Sequence, residues 1–96
     1  MNRAELVQQK RDAIRRIAQE HGATEIRLFG SVVSGDESET SDIDFLVELE
    51  EGRSLLDVGG MLMDLQQELG VEVDLTTTAS LPDDVRERLL RESSAV

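Results

Sequence analysis

Cysteine, tryptophan and tyrosine are absent from this chain, which holds one histidine (His21), one proline (Pro82) and two phenylalanines. Without thiols, disulfides and thiolate metal sites are excluded, and His21 alone cannot make a zinc site. With Phe29 and Phe45 as the only aromatics, the core must be packed from Leu, Ile, Val and Met. No apolar run is long enough to cross a bilayer, and the opening residues, charged at Arg3, Glu5, Lys10, Arg11 and Asp12, contain no apolar signal core; no membrane association and a cytoplasmic location are expected. Basic residues are also scarce: ten against twenty-one acidic ones leave a formal net charge of -11. Such a chain repels nucleic-acid phosphates, so direct nucleic-acid binding is not expected, whereas a basic protein partner or a divalent cation fits. Ninety-six residues suffice for one domain, 1–96, and any large acceptor must then be presented by a partner.

The patterning is that of an α/β domain. Asn2 followed by Glu5 resembles a capping box, and Leu6, Ala13, Ile14 and Ile17 recur at helical spacing, predicting one helix over 3–20 that stops at His21-Gly22. Residues 26–29 read as a short strand ending at Gly30-Ser31, followed by a loop over 31–41 with a helical turn near 31–34. Ile43, Phe45 and Val47 alternate with Asp42, Asp44 and Leu46 in a second strand with one apolar face. Ser54 is the N-cap expected for a helix whose apolar stripe is Leu55, Val58, Leu62, Leu65 and Leu69, closed by Gly70. Gly59 and Gly60 inside that helix mark either a close contact or simple tolerance. Residues 71–76 repeat the alternating pattern with Asp74 on the polar face, and Pro82, Asp83 and Asp84 open a last helix over 82–92. The expected order is α-β-(short α)-β-α-β-α, with a small mixed sheet of three to four strands and helices mainly on one face.

Asp42 and Asp44 lie two apart on a strand, so their carboxylates share a face, and pairing with the 71–76 strand would bring Asp74 alongside. Two like charges at about 4 Å repel by roughly 4 kcal/mol at an effective dielectric near 20, so the cluster calls for a cation or a proton. Hard oxygen donors without sulfur or nitrogen favour magnesium or manganese. Gly30-Ser31, where a strand gives way to a turn, can present backbone N–H groups and a hydroxyl to a phosphate. Each element alone is bland, a turn or a solvated acidic pair; their conjunction points to phosphoryl-type chemistry.

Leu28-Phe29-Gly30-Ser31, ten intervening residues and then Asp42-Ile43-Asp44-Phe45-Leu46-Val47 resemble the Gly-Ser…Asp-x-Asp signature of the nucleotidyltransferase superfamily that includes DNA polymerase β. Val71-Glu72-Val73-Asp74-Leu75 resembles the strand that carries its third carboxylate, and Val85 to Glu92 the closing helix of its smallest members. The small size is similar to that of the minimal nucleotidyltransferase branch. That resemblance implies a type VII-like antitoxin that transfers AMP from ATP to a tyrosine of a HEPN-domain ribonuclease toxin and silences it. Asp42, Asp44 and Asp74 would hold two magnesium ions, Asp74 would also accept the proton, and Gly30 and Ser31 would position the triphosphate. The family often writes Gly-Ser-x-Ala-Arg-Gly, whereas this chain has Gly30-Ser31-Val32-Val33-Ser34-Gly35, so a phosphate or acceptor contact made by that arginine is missing at Ser34.

Three alternatives stand beside this reading. One is a catalytically degenerate antitoxin that neutralises its toxin by binding alone. Another is a small-molecule nucleotidyltransferase, which would need a further helical domain, and the third a plain divalent-cation-binding domain. Arg86, Arg88 and Arg91 read as a solvated helix face, His21 as a helix C-terminal residue facing the dipole, and Met61 and Met63 as packing residues.

Overall fold

The computed structural model describes residues 2–30 and 42–96. The loop over 31–41, with the expected helical turn, Ser31 and Ser34, lies outside the described residues. The elements are α1 (Arg3–Gln9), α2 (Arg11–Glu20), β1 (Ala23–Phe29), β2 (Ile43–Leu49), α3 (Leu55–Leu69), β3 (Val73–Thr77), a single 3-10 turn (Thr78–Ser80), α4 (Asp83–Glu92) and β4 (Ser94–Ala95).

The Asn2 side chain caps α1 as expected, accepting from the Glu5 N–H at 2.8 Å. The single helix over 3–20 is instead two, broken at Lys10, whose φ of -97° and ψ of 11° leave the helical region. Backbone bonds still run from the Lys10 N–H to the Leu6 carbonyl and from the Ile14 N–H to the Lys10 carbonyl, so the break is a kink in a continuous path. The kink falls in the polar run Gln8 to Asp12, which separates the buried Val7 from the buried Ile14, Ile17 and Ala18. No proline or glycine marks the site, so periodicity alone had nothing to register.

β1 begins three residues earlier than expected, at Ala23, and a bulge between Ala23 and Glu25 resets its register against β2. β2 is central, antiparallel to β1 and parallel to β3, and the sheet order is β3-β2-β1-β4. The parallel pair needs a crossover, which α3 supplies. Its Ser54 cap is reciprocal: the Ser54 hydroxyl accepts from the Leu56 N–H at 3.2 Å and the Asp57 carboxylate from the Ser54 N–H at 2.8 Å.

One face of the sheet and the first three helices enclose the core. Ile43, Phe45 and Val47 of β2 are sealed from solvent, against Ile14 and Ile17 of α2 and Met61, Leu65 and Leu69 of α3. Met61 packs as the sequence suggested; Met63 does not, being 71 % exposed, and Leu55, expected in the stripe, is 84 % exposed. The buried arc of α3 therefore runs through Met61, Leu65 and Leu69, and Leu55 lies off it.

The two helical glycines separate cleanly. A side chain at Gly60 would meet the His21 ring at 2.9 Å from Cε1, while one at Gly59 would meet nothing within 4 Å. His21 both caps α2 and sits 2.7 Å from the Asp64 carboxylate through Nε2. Gly59→Ala is therefore expected to stabilise the domain by about 0.8–1 kcal/mol, the intrinsic helix preference. Gly60→Ala should lose that gain to displacement of the imidazole. Thermal unfolding of the two variants checks this: equal stabilisation would show that the His21 contact is not tight.

The two-residue strand β4 is antiparallel to the β1 segment around Arg27 and Leu28. It is fixed by the Val96 N–H on the Ile26 carbonyl (3.3 Å), by Arg15 donating to the Val96 carbonyl (2.8 Å), and by Arg27 donating to the Ser93 hydroxyl (2.6 Å). Among the described residues no helix is long and apolar enough to cross a membrane.

Candidate active site

The strand pairing brings two of the sequence-predicted carboxylates together. Asp44 on β2 is the direct partner of Asp74 on β3, and on its other side it pairs with Phe29, the last residue of β1. In register, directly opposed residues share a sheet face, so Phe29, Asp44 and Asp74 form one row across three strands. Asp42 precedes Asp44 by two residues at the mouth of β2 and is exposed, as is Asp74. Ser31 follows Gly30 and falls outside the described residues.

Gly30 is built into this row. Its φ is +84°, in the left-handed region that side chains rarely adopt, and a Cβ there would fall on the Asp44 carboxylate oxygen Oδ2. The glycine thus supplies both the turn out of β1 and the space in which the Asp44 carboxylate sits. This second role goes beyond the phosphate cradle expected from sequence.

Electrostatics single out Asp44. Partial burial holds its carboxyl above the ordinary aspartate range, and the charges of Asp74 and Asp42, with a hydrogen bond to Asp74, push in the same direction. One residue on the same face was misassigned by the sequence pattern. Leu46, two residues along on the same face as Asp44, was grouped with the polar side but is 1 % exposed.

The crowding that raises the Asp44 carboxyl is what a bound cation would relieve. The donor set is all oxygen, which fits magnesium or manganese and not a soft metal. Among the described residues no three ligating side chains are already drawn around one point, although Asp42 lies near enough for its charge to act on Asp44. Hard divalent ions that complete their coordination with substrate phosphates suit such an open site. Of the arginines on α4, Arg88 and Arg91 are exposed as expected, whereas Arg86 is half-buried, donating to Asp83 at 2.7 Å and to the Leu81 carbonyl at 3.3 Å.

Residues 10–96 match the model of the nucleotidyltransferase domain family. MJ0435 of Methanocaldococcus jannaschii, named as a protein adenylyltransferase, is 42% identical over 73 residues, covering 76% of this chain and 78% of its own. A solved structure described as a minimal nucleotidyltransferase superposes with a TM-score of 0.89 at 40% identity, covering 97% of this chain and 95% of that one. A toxin–antitoxin crystal structure with AMP-PNP shares the fold, with a TM-score of 0.74 at 21% identity over 88% of this chain and 69% of that one. A strand pair carrying opposed aspartates beside a left-handed glycine, in a chain whose match runs nearly from end to end, leads to one conclusion: this chain belongs to the nucleotidyltransferase domain family.

Proposed function

We propose that the chain is a magnesium-dependent protein adenylyltransferase that transfers AMP from ATP to a tyrosine of a HEPN-domain ribonuclease toxin and so acts as its cytoplasmic antitoxin in a type VII-like pair. The observation that carries this reading is the Asp44–Asp74 pairing beside Gly30, with Asp42 at the strand mouth. The 42% identity to a protein named as a protein adenylyltransferase supports the choice of reaction, and the fold shared with a toxin–antitoxin complex supports the choice of partner.

Asp42, Asp44 and Asp74 would hold two magnesium ions. When bound, magnesium neutralises triphosphate charge and lowers the pKa of the attacking hydroxyl. The chain's own residues do the rest. Asp44, paired between Phe29 and Asp74, presents its carboxylate beside that of Asp74. Gly30 keeps the turn free of side-chain bulk where the triphosphate approaches, and Ser31 adds a hydroxyl to the phosphates. Asp74, exposed on β3, accepts the proton of the tyrosine hydroxyl. The tyrosine oxygen bonds to the α-phosphorus, the α–β bridging bond breaks, and pyrophosphate leaves in line; positioning and charge compensation are what such transfers demand of a protein. The chain contains no tyrosine, so the acceptor belongs to the partner.

Incubation of the chain and its toxin with ATP labelled at the α-phosphate tests the reaction. Label should appear on the toxin, should not appear when the label is on the γ-phosphate, and should vanish with excess EDTA. Transfer of γ-label would mean a kinase-like reaction, and transfer that survives chelation would remove the metal from the account. The net charge of -11 favours a second reading, in which the acidic surface neutralises a basic toxin by binding alone. That reading predicts a tight complex and no label from any nucleotide.

A further inference from the structure

The candidate active site has a direction. Gly30 ends β1, Asp44 lies on β2 and Asp74 on β3, so turn, central carboxylate and outer carboxylate follow one another across the sheet at strand spacings of about 4.8 Å. Nucleotidyl transfer requires the attacking oxygen, the α-phosphorus and the departing bridging oxygen to lie in line. With pyrophosphate leaving on the Gly30 side and Asp74 taking the proton of the incoming hydroxyl, the acceptor approaches from the β3 side of the row. β3 is the edge of the sheet on that side. This placement rests on the adenylyltransferase reading, which fixes the side from which the acceptor comes.

The two edges of the sheet are finished differently. Beside β1, β4 pairs with Arg27 and Leu28, and Arg15 and Arg27 hold the segment in place. Beside β3 no strand follows among the described residues. The Ile43 N–H donates to the Glu72 carbonyl at 3.0 Å, and parallel pairing alternates from there. Glu72, Asp74 and Thr76 turn their backbone groups to β2, whereas Val73, Leu75 and Thr77 turn theirs outward. The chain's own side chains meet the two ends of this outer row: Gln66 Oε1 accepts from the Val73 N–H at 3.2 Å, and the Ser80 hydroxyl donates to the Thr77 carbonyl at 2.8 Å. Between them lie the Val73 carbonyl, both backbone groups of Leu75 and the Thr77 N–H, alternating acceptor and donor with no strand beside them among the described residues. Such an edge recruits an extended segment by backbone pairing. We propose that β3 binds, by strand addition along Leu75, the extended segment of the protein partner that carries the acceptor hydroxyl. A residue of the added strand directly opposite Asp74 shares its face of the sheet, which puts its side chain beside the carboxylate that takes the proton.

Amide hydrogen exchange of the isotope-labelled chain, alone and in complex with its toxin, tests this surface, with transfer from α-labelled ATP followed in parallel. Strand addition predicts that the Leu75 and Thr77 amides gain protection in the complex, while those of Asp74 and Thr76, already bonded to β2, change little. Thr77→Pro removes one outward donor without touching the ladder to β2, a substitution that an edge strand tolerates. It should lower transfer to the toxin about three- to tenfold, the worth of one hydrogen bond, through the KM for the toxin and not the KM for ATP. Label on the toxin while Leu75 and Thr77 exchange as in the free chain would overturn the docking surface and leave the adenylyltransferase reading standing. Protection of these amides with no label from any nucleotide would overturn both the reaction and the identification of the docked segment as the acceptor. Protection that grows with the concentration of the chain alone would overturn the proposal by giving the edge to a second copy.

Discussion

Asp44→Asn is expected to reduce nucleotide transfer by about 10^3-fold or more, a loss of roughly 4 kcal/mol of transition-state stabilisation, while making the metal-free protein more stable. The two effects have one origin. Asp44 is partly buried next to Asp74 and near Asp42, and each of these influences raises its pKa above the ordinary value of 3.8. A carboxyl whose folded-state pKa is raised binds its proton better in the folded than in the unfolded chain. Its stabilising contribution is therefore complete below the ordinary carboxylate value and is lost as pH rises from there through the raised value. Above the raised value the wild-type domain carries an ionised carboxylate in an unfavourable place, and the asparagine does not. Metal-free wild type should lose stability relative to Asp44→Asn as pH rises from the ordinary carboxylate value through the raised one. Thermal unfolding of the two proteins across pH reads this difference as a shift in Tm. Magnesium should stabilise the wild type and not the variant, because it binds only the folded carboxylate row. Equal stability of the two proteins across pH would show that the row is not under electrostatic strain.

Gly30→Ala should be the most damaging substitution of a single hydrogen by a methyl group. Placing a side chain at a left-handed backbone position costs about 1–2 kcal/mol. The added Cβ also lands on the Asp44 carboxylate, which must move or rotate. A displacement of about 1 Å at a reacting centre costs on the order of 10^2-fold in rate, so activity should fall by about that factor in the fraction that remains folded. Denaturant unfolding separates the two contributions, and a Gly30→Ala protein with reduced stability but full specific activity would show that the carboxylate position is not critical.

The site was more legible in the sequence than the helical layer around it. An Asp-x-Asp on an alternating strand fixes a shared face by geometry alone, and a second alternating strand with one aspartate restricts the register in which the carboxylates meet; the Asp44–Asp74 pairing follows. What was hidden depended on partners distant in sequence. Leu46 looks solvent-facing by alternation, yet it is buried, and alternation alone cannot register that. Leu55 and Met63 have helical spacing but lie off the buried arc, because a hydrophobic residue on a helix does not declare which way it points. β4 spans only Ser94–Ala95 and has no alternation to detect; backbone bonds to β1 and the Arg15 and Arg27 contacts define it. The polar run around Lys10 reads as continuous helix in any propensity argument, although the backbone turns there.

The proposed function asks for more than binding, and one comparison separates the two. Wild type and the Asp42→Asn/Asp44→Asn variant are each mixed with the toxin, ATP and magnesium. Complex formation, α-label on the toxin and residual RNA cleavage are then followed in the same samples. The catalytic account predicts that both proteins bind the toxin, that only the wild type labels it, and that only the labelled toxin stays inactive after the antitoxin is removed. A variant that silences the toxin as completely as the wild type, with no label in either sample, would contradict it.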